Sequence, residues 1–480
     1  MASGEEVGRC GGYNDSMRAG VIFWLLVWVL FWIRGPVIVD PDFGQHLVTG
    51  KLIVEQGIPK TDPFSYTMPS FGYVDHAWLT DVLVYWGGRG VGTVGLAAVF
   101  ASVAVGAMVI VASPAGKYYW MAGLLALPVL LGRGGIRPQV FDWLGVVIIL
   151  ELSLREDWWE KWRWTVPVIF TVWANLHGGW LAGFLVMGLV RWVRLIEEKR
   201  IDWGDVAVGG LSGAGILINP YGWRLLWEVG LTLGDARLRR VIAEWKPFWA
   251  AIDWGFWAMM GMGGPLVIRY WRKADKARVV VAGVFGLLGM SSLRNMALFV
   301  ISGFGLLGWS LGELEKEVML VGAGERWRKM RWVWGGVAIV VSLVGVLTLG
   351  VWGLKPGIFY PDGAIGFLQK NGINGNLWAD YGWGSYLLWK LPGVKTFVDG
   401  RMPSWRRETA PFGESLSAMS EHIQVIKGEK GWEEVLEKYK VGTMLVSPRR
   451  ESGRFGARLT GAGWAKVYED EVASVYIRPE

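Results

Sequence analysis

Ionisable residues whose types could do chemistry recur in short motifs between apolar runs. The earliest motif is Asp40-Pro41-Asp42, with His46 four residues after Asp42. If a helix begins there, Asp42 and His46 share one face of it. Seven further polar residues lie near the ends of apolar runs: Asp75, His76, Arg137, His177, Asn219, Glu244 and Arg294. Carboxylates and imidazoles transfer protons, and guanidinium groups bind anions, so these types allow both kinds of chemistry.

The elements that carry these residues are strongly apolar. The 480-residue chain is 52% hydrophobic and 19% charged, with 69 Gly and 33 Trp, whereas soluble domains hold about 25% charged residues. This composition excludes an ordinary soluble enzyme, a disordered chain and a collagen-like chain. The single cysteine, Cys10, cannot form an intramolecular disulfide. The net charge of +7 is typical of basic cytoplasmic loops, and no basic run carries a nucleic-acid-binding motif.

Eleven apolar segments predict a multi-pass helical membrane protein. They lie near residues 19–39, 92–113, 118–132, 138–153, 163–176, 178–195, 205–219, 250–268, 278–293, 295–312 and 332–354. The first segment lacks a cleavage-site pattern, so we expect it to be retained as a helix. The stretch 164–190 has no charge, but Asn175-Leu176-His177-Gly178-Gly179 indicates a turn that divides it into two short helices.

The basic loops set a predicted topology. Lys and Arg cluster before residue 164, after residue 190, at 269–278 and at 326–331, and such loops face the cytoplasm. The prediction places the N-terminus in the cytoplasm and residues 355–480 on the external or periplasmic face of the cell membrane. The polar motifs then collect at the external face, which suggests one site there. The alternative is that outer loops simply contain polar residues.

The distribution of charge also predicts two domains. Charged residues are clearly denser in residues 355–480 than in residues 1–354. We therefore expect a transmembrane domain over 1–354, with external loops at 40–90 and 220–247, and an external α/β domain over 355–480. Short strands are predicted at 377–379, 396–398 and 443–446, with a closing hairpin of 464–468 and 474–477. Helices are predicted near 362–370, 384–391, 413–427 and 431–439.

The first external loop carries a resemblance to a known family. A short helix follows Asp42 and stops at Gly57, and a second one follows Asp75-His76. An acid after the first span, with a helix that ends in Gly fifteen residues on, resembles the GT-C glycosyltransferases, which use polyprenyl-phosphate sugars. The other motifs that carry the resemblance are Thr61-Asp62-Pro63-Phe64-Ser65-Tyr66, His76-Ala77-Trp78-Leu79, Asn175-Leu176-His177-Gly178-Gly179 and Asn219-Pro220-Tyr221-Gly222. Phe43 stands where O-mannosyltransferases of this superfamily have a Glu after the Asp, which leaves the acceptor type open.

The resemblance implies roles for the acids and cations. Asp42 matches the essential acid and would act as the base that takes the proton of the acceptor. Asp40 is the alternative base, a joint oxygen ligand of a divalent metal such as Mg or Mn, or only a turn residue before Pro41. Arg137 and Arg294 would bind the donor phosphate or lipid headgroups.

Further residues receive weaker roles. His46, His76 and His177 would orient the phosphate or the base, or serve as structural hydrogen-bonders; their wide spacing gives little support to a metal site. Glu244 is a secondary acid, and the cluster 237–241 would bind a polyprenyl phosphate or general anionic lipid. The remaining candidates lie on the predicted external face: Asp380, Asp399 and Arg401, for acceptor recognition or turn chemistry, and Trp78, Trp378 and Trp383, for stacking on a sugar.

The function that the resemblance implies is transfer of a hexosyl or pentosyl group from a lipid-linked donor at the external membrane face. The partners would be a polyprenyl-phosphate sugar, the bilayer and an acceptor of unknown type, with no nucleic acid. A non-catalytic membrane scaffold with the same body is the alternative, and it predicts tolerance of Asp42→Ala. A transporter is less favoured because most predicted spans lack ionisable residues in their middles.

Overall fold

The computed structural model describes residues 4–236, 238, 242–353, 359–448 and 454–478, which are mostly helical. Its α-helices, in chain order, are α1 Gly4–Val37, α2 Phe43–Gln56, α3 Trp78–Gly90, α4 Gly92–Ala112, α5 Tyr119–Arg133, α6 Gln139–Leu154, α7 Glu156–Trp162, α8 Val166–Leu176, α9 Trp180–Glu198, α10 Trp203–Ile216, α11 Trp223–Gly234, α12 Trp254–Arg269, α13 Lys276–Ser291, α14 Met296–Leu320, α15 Gly324–Gly353, α16 Asp362–Asn371, α17 Gly384–Lys390, α18 Ala418–Lys427, α19 Trp432–Lys438 and α20 Arg454–Gly461.

The chain divides into two compact units. Unit 1 consists of Met1–Ile38, Val91–Asn219 and Ile242–Leu354, and unit 2 of Val39–Gly90, Pro220–Val241 and Lys355–Glu480. The tail therefore shares a unit with most of the two loops that the sequence prediction assigns to the transmembrane domain. The two units also differ in polarity: unit 1 holds the apolar segments, and unit 2 holds most of the two loops and the tail.

Each of the eleven apolar segments predicted as a span contains a helix of unit 1. By length and composition, four stretches of the described chain qualify as membrane spans: Arg18–Val37, Gly92–Arg133, Leu293–Leu320 and Gly324–Thr348. The total of eleven crossings, and the orientation of the termini, stay predictions. The predicted turn inside 164–190 is confirmed, since α8 ends at Leu176 and α9 begins at Trp180.

Helix α14 forms the centre of unit 1, and most of its first sixteen residues are buried. It packs against α4, α5, α6, α12 and α13. Carboxylates cap the helices that start in polar loops: Asp202, Asp253 and Asp275 accept backbone N–H bonds in the first turns of α10, α12 and α13. Such caps satisfy donors that a helix start leaves unpaired.

In unit 2, α2 packs closely on α3. A Cβ atom at Gly50 would lie 2.0 Å from the carbonyl oxygen of Asp81, so only glycine permits this approach. Gly57 ends α2 with a positive φ of 88°, as the stop signal in the sequence predicts. The two predicted helices of the first loop are therefore present.

The tail contains a four-stranded sheet of β1 Asn376–Ala379, β2 Val441–Val446, β3 Ala465–Glu469 and β4 Ser474–Ile477, in the order β1-β2-β4-β3. Strands β1 and β2 are parallel, and the other pairs are antiparallel. The predicted closing hairpin is confirmed. The strand predicted at 396–398 is wrong: Thr396 forms only an isolated bridge with Ser65, because this segment pairs with the first loop instead of joining the sheet.

Candidate functional site

Asp42 occupies the N-cap position of α2, and its side chain is partly exposed. Its backbone N–H donates to Oδ1 of Asp40 at 3.0 Å, which holds the two acids in one turn. The hydroxyl of Ser385 lies 3.3 Å from Oδ1 of Asp42. The start of a helix favours the anionic form of a carboxyl, so Asp42 has the surroundings of a reactive carboxylate.

Gly400 leaves the space that the Asp42 carboxylate fills. A Cβ atom at position 400 would lie 2.3 Å from Oδ1 of Asp42. The backbone N–H of Gly400 donates to the Ser385 hydroxyl at 3.4 Å, and this hydroxyl also lies 3.3 Å from Oε1 of Gln45. The tail segments at 385 and 400 therefore fix the position of Asp42, a contribution that sequence reasoning missed.

Asp40 and Asp42 are also the predicted joint ligands of a divalent metal. Carboxylate oxygens are what Mg²⁺ prefers. In the part of the chain that the structure describes, however, no group of three or more His, Cys, Asp and Glu side chains gathers as a metal site. Mg²⁺ is usually held by one or two carboxylates together with waters and substrate phosphates, so Asp40 and Asp42 fit such a site only when a substrate supplies further oxygen ligands.

His46 does not face the surroundings of Asp42. It is buried, and its Nδ1 lies 2.6 Å from Oδ1 of Asp81, a residue of α3 with no exposed surface. Asp75 is also buried, beside Asp81. Burial and the neighbouring Asp81 charge raise the pKa of Asp75 well above its usual range, because two carboxyls in one apolar site cannot both ionise. Burial raises the pKa of Asp81 as well, so the Asp75–Asp81 pair retains a proton in a buried cluster with His46.

Residues next to this cluster differ in exposure. Tyr221 of the Asn-Pro-Tyr-Gly motif is buried with its hydroxyl beside Asp75. Burial and the Asp75 charge raise the pKa of Tyr221. His76, in contrast, is exposed immediately before α3, and Trp78 is half-buried. Of the two histidines predicted for this loop, only His76 is accessible.

In unit 1, Arg137 and Glu244 form an ion pair of 2.7 Å between Nη2 and Oε1. The guanidinium of Arg294 stacks on Trp245, 5.7 Å from the ring centre. Arg133, which sequence reasoning missed, binds Asp253 at 2.8 Å. These three arginines surround Glu244.

The positive charges act on Glu244. Arg137 first, and then Arg294 and Arg133, lower the pKa of Glu244 to about 2. Glu244 therefore stays ionised at all ordinary pH values and is unsuited to general acid chemistry. Three arginines thus act on Glu244, and clustered guanidinium groups suit a bound anion.

His177 lies in a different environment. It is 1% exposed, and its Nδ1 lies 2.6 Å from Oδ2 of Asp142. The indole N–H of Trp173 donates to the other Asp142 oxygen at 2.8 Å. These bonds tie α6 to the turn between α8 and α9. Asn175 gives that turn a further anchor, because its amide donates to the carbonyl oxygen of Ile218.

Arg401 is buried, whereas acceptor recognition would require it to be accessible. Its guanidinium donates to Asp62 at 2.5 Å and to Asp399 at 2.6 Å, and its side chain is 3% exposed. It also packs on the rings of Phe64 and Trp405. The guanidinium of Arg401 is already bound by two carboxylates. The described contacts therefore give Arg401 a structural role beside Gly400.

The prediction that Trp378 and Trp383 of the tail stack on a sugar is wrong, because both side chains are buried. Trp378 has 0% and Trp383 has 5% of its surface exposed, because both belong to the packing around the sheet. Neither indole face is available to a sugar. Asp380 is likewise buried and accepts the N–H of Ser447 at 2.9 Å. This bond joins the ends of β1 and β2, whereas the sequence favours a local turn role for Asp380.

Parts of the prediction fall outside the described residues. The basic cluster at 237–241 is described only at Leu238. Asn219 belongs to unit 1, where its amide donates to the carbonyl oxygen of Ile216 at 2.7 Å. The structure thus brings together Asp40 with Asp42 in unit 2, and Arg137 with Glu244 and Arg294 in unit 1.

The site residues that sequence reasoning missed differ in whether the sequence carries a signal for them. Asp81 interrupts an apolar helix face, and such an acid is a signal of burial with a partner. Ser385 and Gly400 carry no such signal, because their role depends on a contact between the tail and the first loop, which are distant in the chain.

The fold is similar to the folds of an archaeal oligosaccharyltransferase and of ArnT, in agreement with the fold that the motif resemblance predicts. The archaeal oligosaccharyltransferase AglB from Archaeoglobus fulgidus, in complex with an inhibitory peptide and a dolichol-phosphate, matches with a TM-score of 0.62 and 11% identity over 93% of this chain and 71% of that chain. ArnT from Cupriavidus metallidurans, bound to undecaprenyl phosphate, matches with a TM-score of 0.52 and 13% identity over 95% of this chain and 97% of that chain.

A complex of the Archaeoglobus fulgidus oligosaccharyltransferase with Zn and sulfate also matches, with a TM-score of 0.56 and 12% identity over 95% of this chain and 72% of that chain. No family model matches the sequence, and no curated protein matches it significantly. The comparisons therefore establish the fold.

Proposed function

We propose that the chain transfers a sugar from a polyprenyl-phosphate or -diphosphate donor to an acceptor at the external membrane face, with Asp42 as the base. The observation that carries the proposal is the Asp42 carboxylate. It is partly exposed at the start of a helix, and it is positioned by Asp40, Ser385 and Gly400. Catalysis is faster when the reactive group is held in the correct orientation by its neighbours.

The proposed step is a displacement at the anomeric carbon of the sugar. A hydroxyl or amide of the acceptor forms the new bond to this carbon, while the bond from the carbon to the donor phosphate oxygen breaks. Asp42 takes the proton that the acceptor loses, and the electron pair of the broken bond leaves with the phosphate. A positioned base of this kind contributes about 10²–10⁴-fold in rate.

The class of donor is supported by what the similar structures contain. One AglB structure holds a dolichol-phosphate, and the ArnT structure holds undecaprenyl phosphate. Both molecules are long isoprenoid chains with a phosphate head. We assign a molecule of this class to the present chain as well, with a hexosyl or pentosyl group as the sugar to be identified.

We assign the donor phosphate to the cluster of Arg133, Arg137 and Arg294. All three guanidinium groups act on Glu244, and bidentate guanidinium contacts suit phosphate oxygens. Because this cluster and Asp42 belong to different compact units, the two assignments are tested separately.

The remaining site residues take supporting roles in the proposal. His76 is exposed, and we assign it to contact with a substrate. His46, His177 and Arg401 are buried against carboxylates, so we assign them to positioning of the fold. Asp40 and Asp42 would hold a divalent metal together with a substrate phosphate, and the metal would then offset the negative charge of that phosphate.

The test compares the whole chain with its Asp42→Asn variant in lipid nanodiscs. A panel of undecaprenyl-phosphate hexoses and pentoses serves as donor, and release of undecaprenyl phosphate in the presence of membrane-extract acceptors is the readout. Glu433→Gln is the matched control, since it removes an exposed acid of α19 in the same unit. We expect Asp42→Asn to lose at least about 100-fold in turnover, with donor binding and thermal stability kept. Full turnover in Asp42→Asn would refute the base assignment, and absence of donor binding by the unaltered chain would refute the proposed function.

A further inference from the structure

Helix α11 exposes an apolar arc along its whole length. Its sequence is Trp-Arg-Leu-Leu-Trp-Glu-Val-Gly-Leu-Thr-Leu-Gly over Trp223–Gly234. The largest exposed side chains are Trp223 at 66% and Trp227 at 62%. The complete set of exposed residues in the helix is Trp223, Leu226, Trp227, Gly230, Leu231, Leu233 and Gly234. At 100° per residue these positions form one continuous face without a charge.

The opposite face of α11 is attached to unit 2. Leu225 is buried, with 1% exposed. The guanidinium of Arg224 packs over Gly72, and Asp235, directly after the helix, forms an ion pair with Arg406 of the tail. All of these residues belong to unit 2. The orientation of the apolar face is therefore fixed by contacts on the other side of the helix.

The chemistry of the exposed face indicates what covers it. Twelve residues span about 18 Å, which is too short to cross a hydrocarbon core of about 30 Å. Soluble surfaces seldom expose a continuous apolar stripe of this kind. Leucine with tryptophan on one face, and ionisable residues on the other, is typical of helices that lie in the membrane–water interface. The membrane spans of unit 1 place a bilayer around this protein.

A second helix of unit 2 has the same character. In α3, Leu83 is 48% and Trp86 is 56% exposed, while Asp81 and Val84 on its other side are buried. Two separate helices of the unit that holds the soluble sheet thus present Trp and Leu outward. The occurrence of an exposed apolar stripe on two helices of the same unit supports a common apolar environment for both.

We propose that α11 lies in the membrane–water interface, with its apolar face inserted among the acyl chains of the bilayer. Unit 2 is then held at the membrane by its own surface as well as by the chain connections to the spans. A helix of this type inserts about 5–10 Å into the headgroup and acyl boundary. This inference does not depend on the proposed sugar transfer.

Spin labelling of the whole chain in nanodiscs of phosphatidylethanolamine and phosphatidylglycerol tests the proposal. The background variant is Cys10→Ser, and single labels are placed by Leu226→Cys and Leu231→Cys in separate proteins. Phe412→Cys is the control, because Phe412 is a fully exposed apolar residue of unit 2. The readout is collision with oxygen, which concentrates in lipid, against collision with a water-soluble nickel chelate.

We expect labels at 226 and 231 to favour oxygen several-fold over the nickel chelate, and the label at 412 to favour the nickel chelate. Equal nickel access at 226, 231 and 412 would overturn the proposal, because α11 would then lie in water. Labels at 226 and 231 that neither reagent reaches would also overturn it, since a protein surface, such as a second copy of this chain, would then cover the helix. Both substituted positions are exposed, so we expect the variants to fold; a third label at Leu233→Cys replaces either one that does not.

Discussion

Asp42 and His46 lie one turn apart on the same helix, yet the structure gives them opposite surroundings. Asp42 is partly exposed and is positioned by Ser385 and Gly400. His46 is buried against Asp81. Both residues are sequence candidates for one site, because residues four apart share a helix face. The comparison shows that a shared face does not imply a shared role when a neighbouring helix covers only one of the two residues.

The same distinction recurs in unit 1. The pair His177–Asp142 has the same 2.6 Å separation as His46–Asp81, and both histidines are buried. Each pair connects a helix to a neighbouring segment of the chain. In the ion pair of Arg137 and Glu244, the Arg137 side chain is 13% exposed and the Glu244 side chain is 39% exposed, so the contrast lies in Glu244. We infer that buried Asp–His pairs stabilise the fold and that partly exposed charges meet the substrates.

Apart from removal of the Asp42 carboxylate itself, the largest expected effect comes from Gly400→Ala. The new methyl group would lie 2.3 Å from the present position of Oδ1 of Asp42, so the carboxylate must move. A displacement of about 1 Å in a catalytic group can cost about 100-fold in rate. We expect a loss of this size in turnover, measured in nanodiscs, with little change in donor binding.

Gly366→Ala provides the matched control for that variant. Gly366 lies in α16 of the same unit, and no heavy atom outside its own helix lies within 4 Å of an added Cβ. We expect it to keep full turnover. If Gly400→Ala is as active as Gly366→Ala, the position of the Asp42 carboxylate is unimportant for transfer, and the distinction between Asp42 and His46 fails.

Asp81→Asn should have the next largest effect, on stability. The amide oxygen can still accept a hydrogen bond from His46, but it carries no charge. Hydrogen bonds to charged groups contribute about 1.5–3 kcal/mol and neutral ones about 0.5–1.5 kcal/mol, so we expect a loss of about 1 kcal/mol. The expected result is a lower thermal midpoint in detergent. Asp142→Asn is the twin variant for His177, and we expect a comparable loss. An unchanged midpoint for both would show that the buried pairs do not stabilise the fold.

Arg137→Gln should weaken binding of the donor. A hydrogen bond between charged groups contributes about 1.5–3 kcal/mol, so we expect at least about a tenfold increase in the dissociation constant for undecaprenyl phosphate. Glu244→Gln is the companion variant, and because it removes a negative charge beside Arg137, binding should be equal or tighter. Unchanged binding in Arg137→Gln would assign Arg137 to the fold alone.

The smallest effect is expected for Asp75→Asn. The pKa of Asp75 is raised in the folded protein. At a pH above the pKa of an ordinary carboxyl group, the folded state therefore still holds a proton that the unfolded chain has released. Stability contributed by this proton therefore falls as the pH rises above about 4. Asparagine mimics the neutral acid, and we expect Asp75→Asn to flatten the decline in thermal midpoint between about pH 5 and pH 8. A decline as steep as that of the unaltered chain would show that the proton of the Asp75–Asp81 pair is not held on Asp75.

The helices of unit 1 could be predicted from the sequence because apolar segment length and the Asn-Leu-His-Gly-Gly turn are local signals. The hairpin of β3 and β4 is visible for the same reason. The segment 396–398 has the apolar pattern of a strand, but its bridge partner is Ser65 in the first loop. Pairings between such distant parts of the chain leave no local pattern.

The candidate site also contains residues that local sequence signals predict and residues that they do not. Asp42 is found through its place after the first apolar segment and before a helix that ends at Gly57. The burial of Arg401 was missed, because an exposed loop and a buried one share the same small polar residues. Ser385 and Gly400 contact Asp42 only after the tail has folded against the first loop.

The most direct test of the account is the ratio of single-turnover rates of Asp42→Asn and Asp40→Asn at saturating donor. Asp40 accepts the backbone N–H of Asp42, so its substitution should disturb the turn without removing the base. We predict a loss of at least about 100-fold for Asp42→Asn and of less than about tenfold for Asp40→Asn. The reverse order, or equal rates, would contradict the assignment of Asp42 as the base.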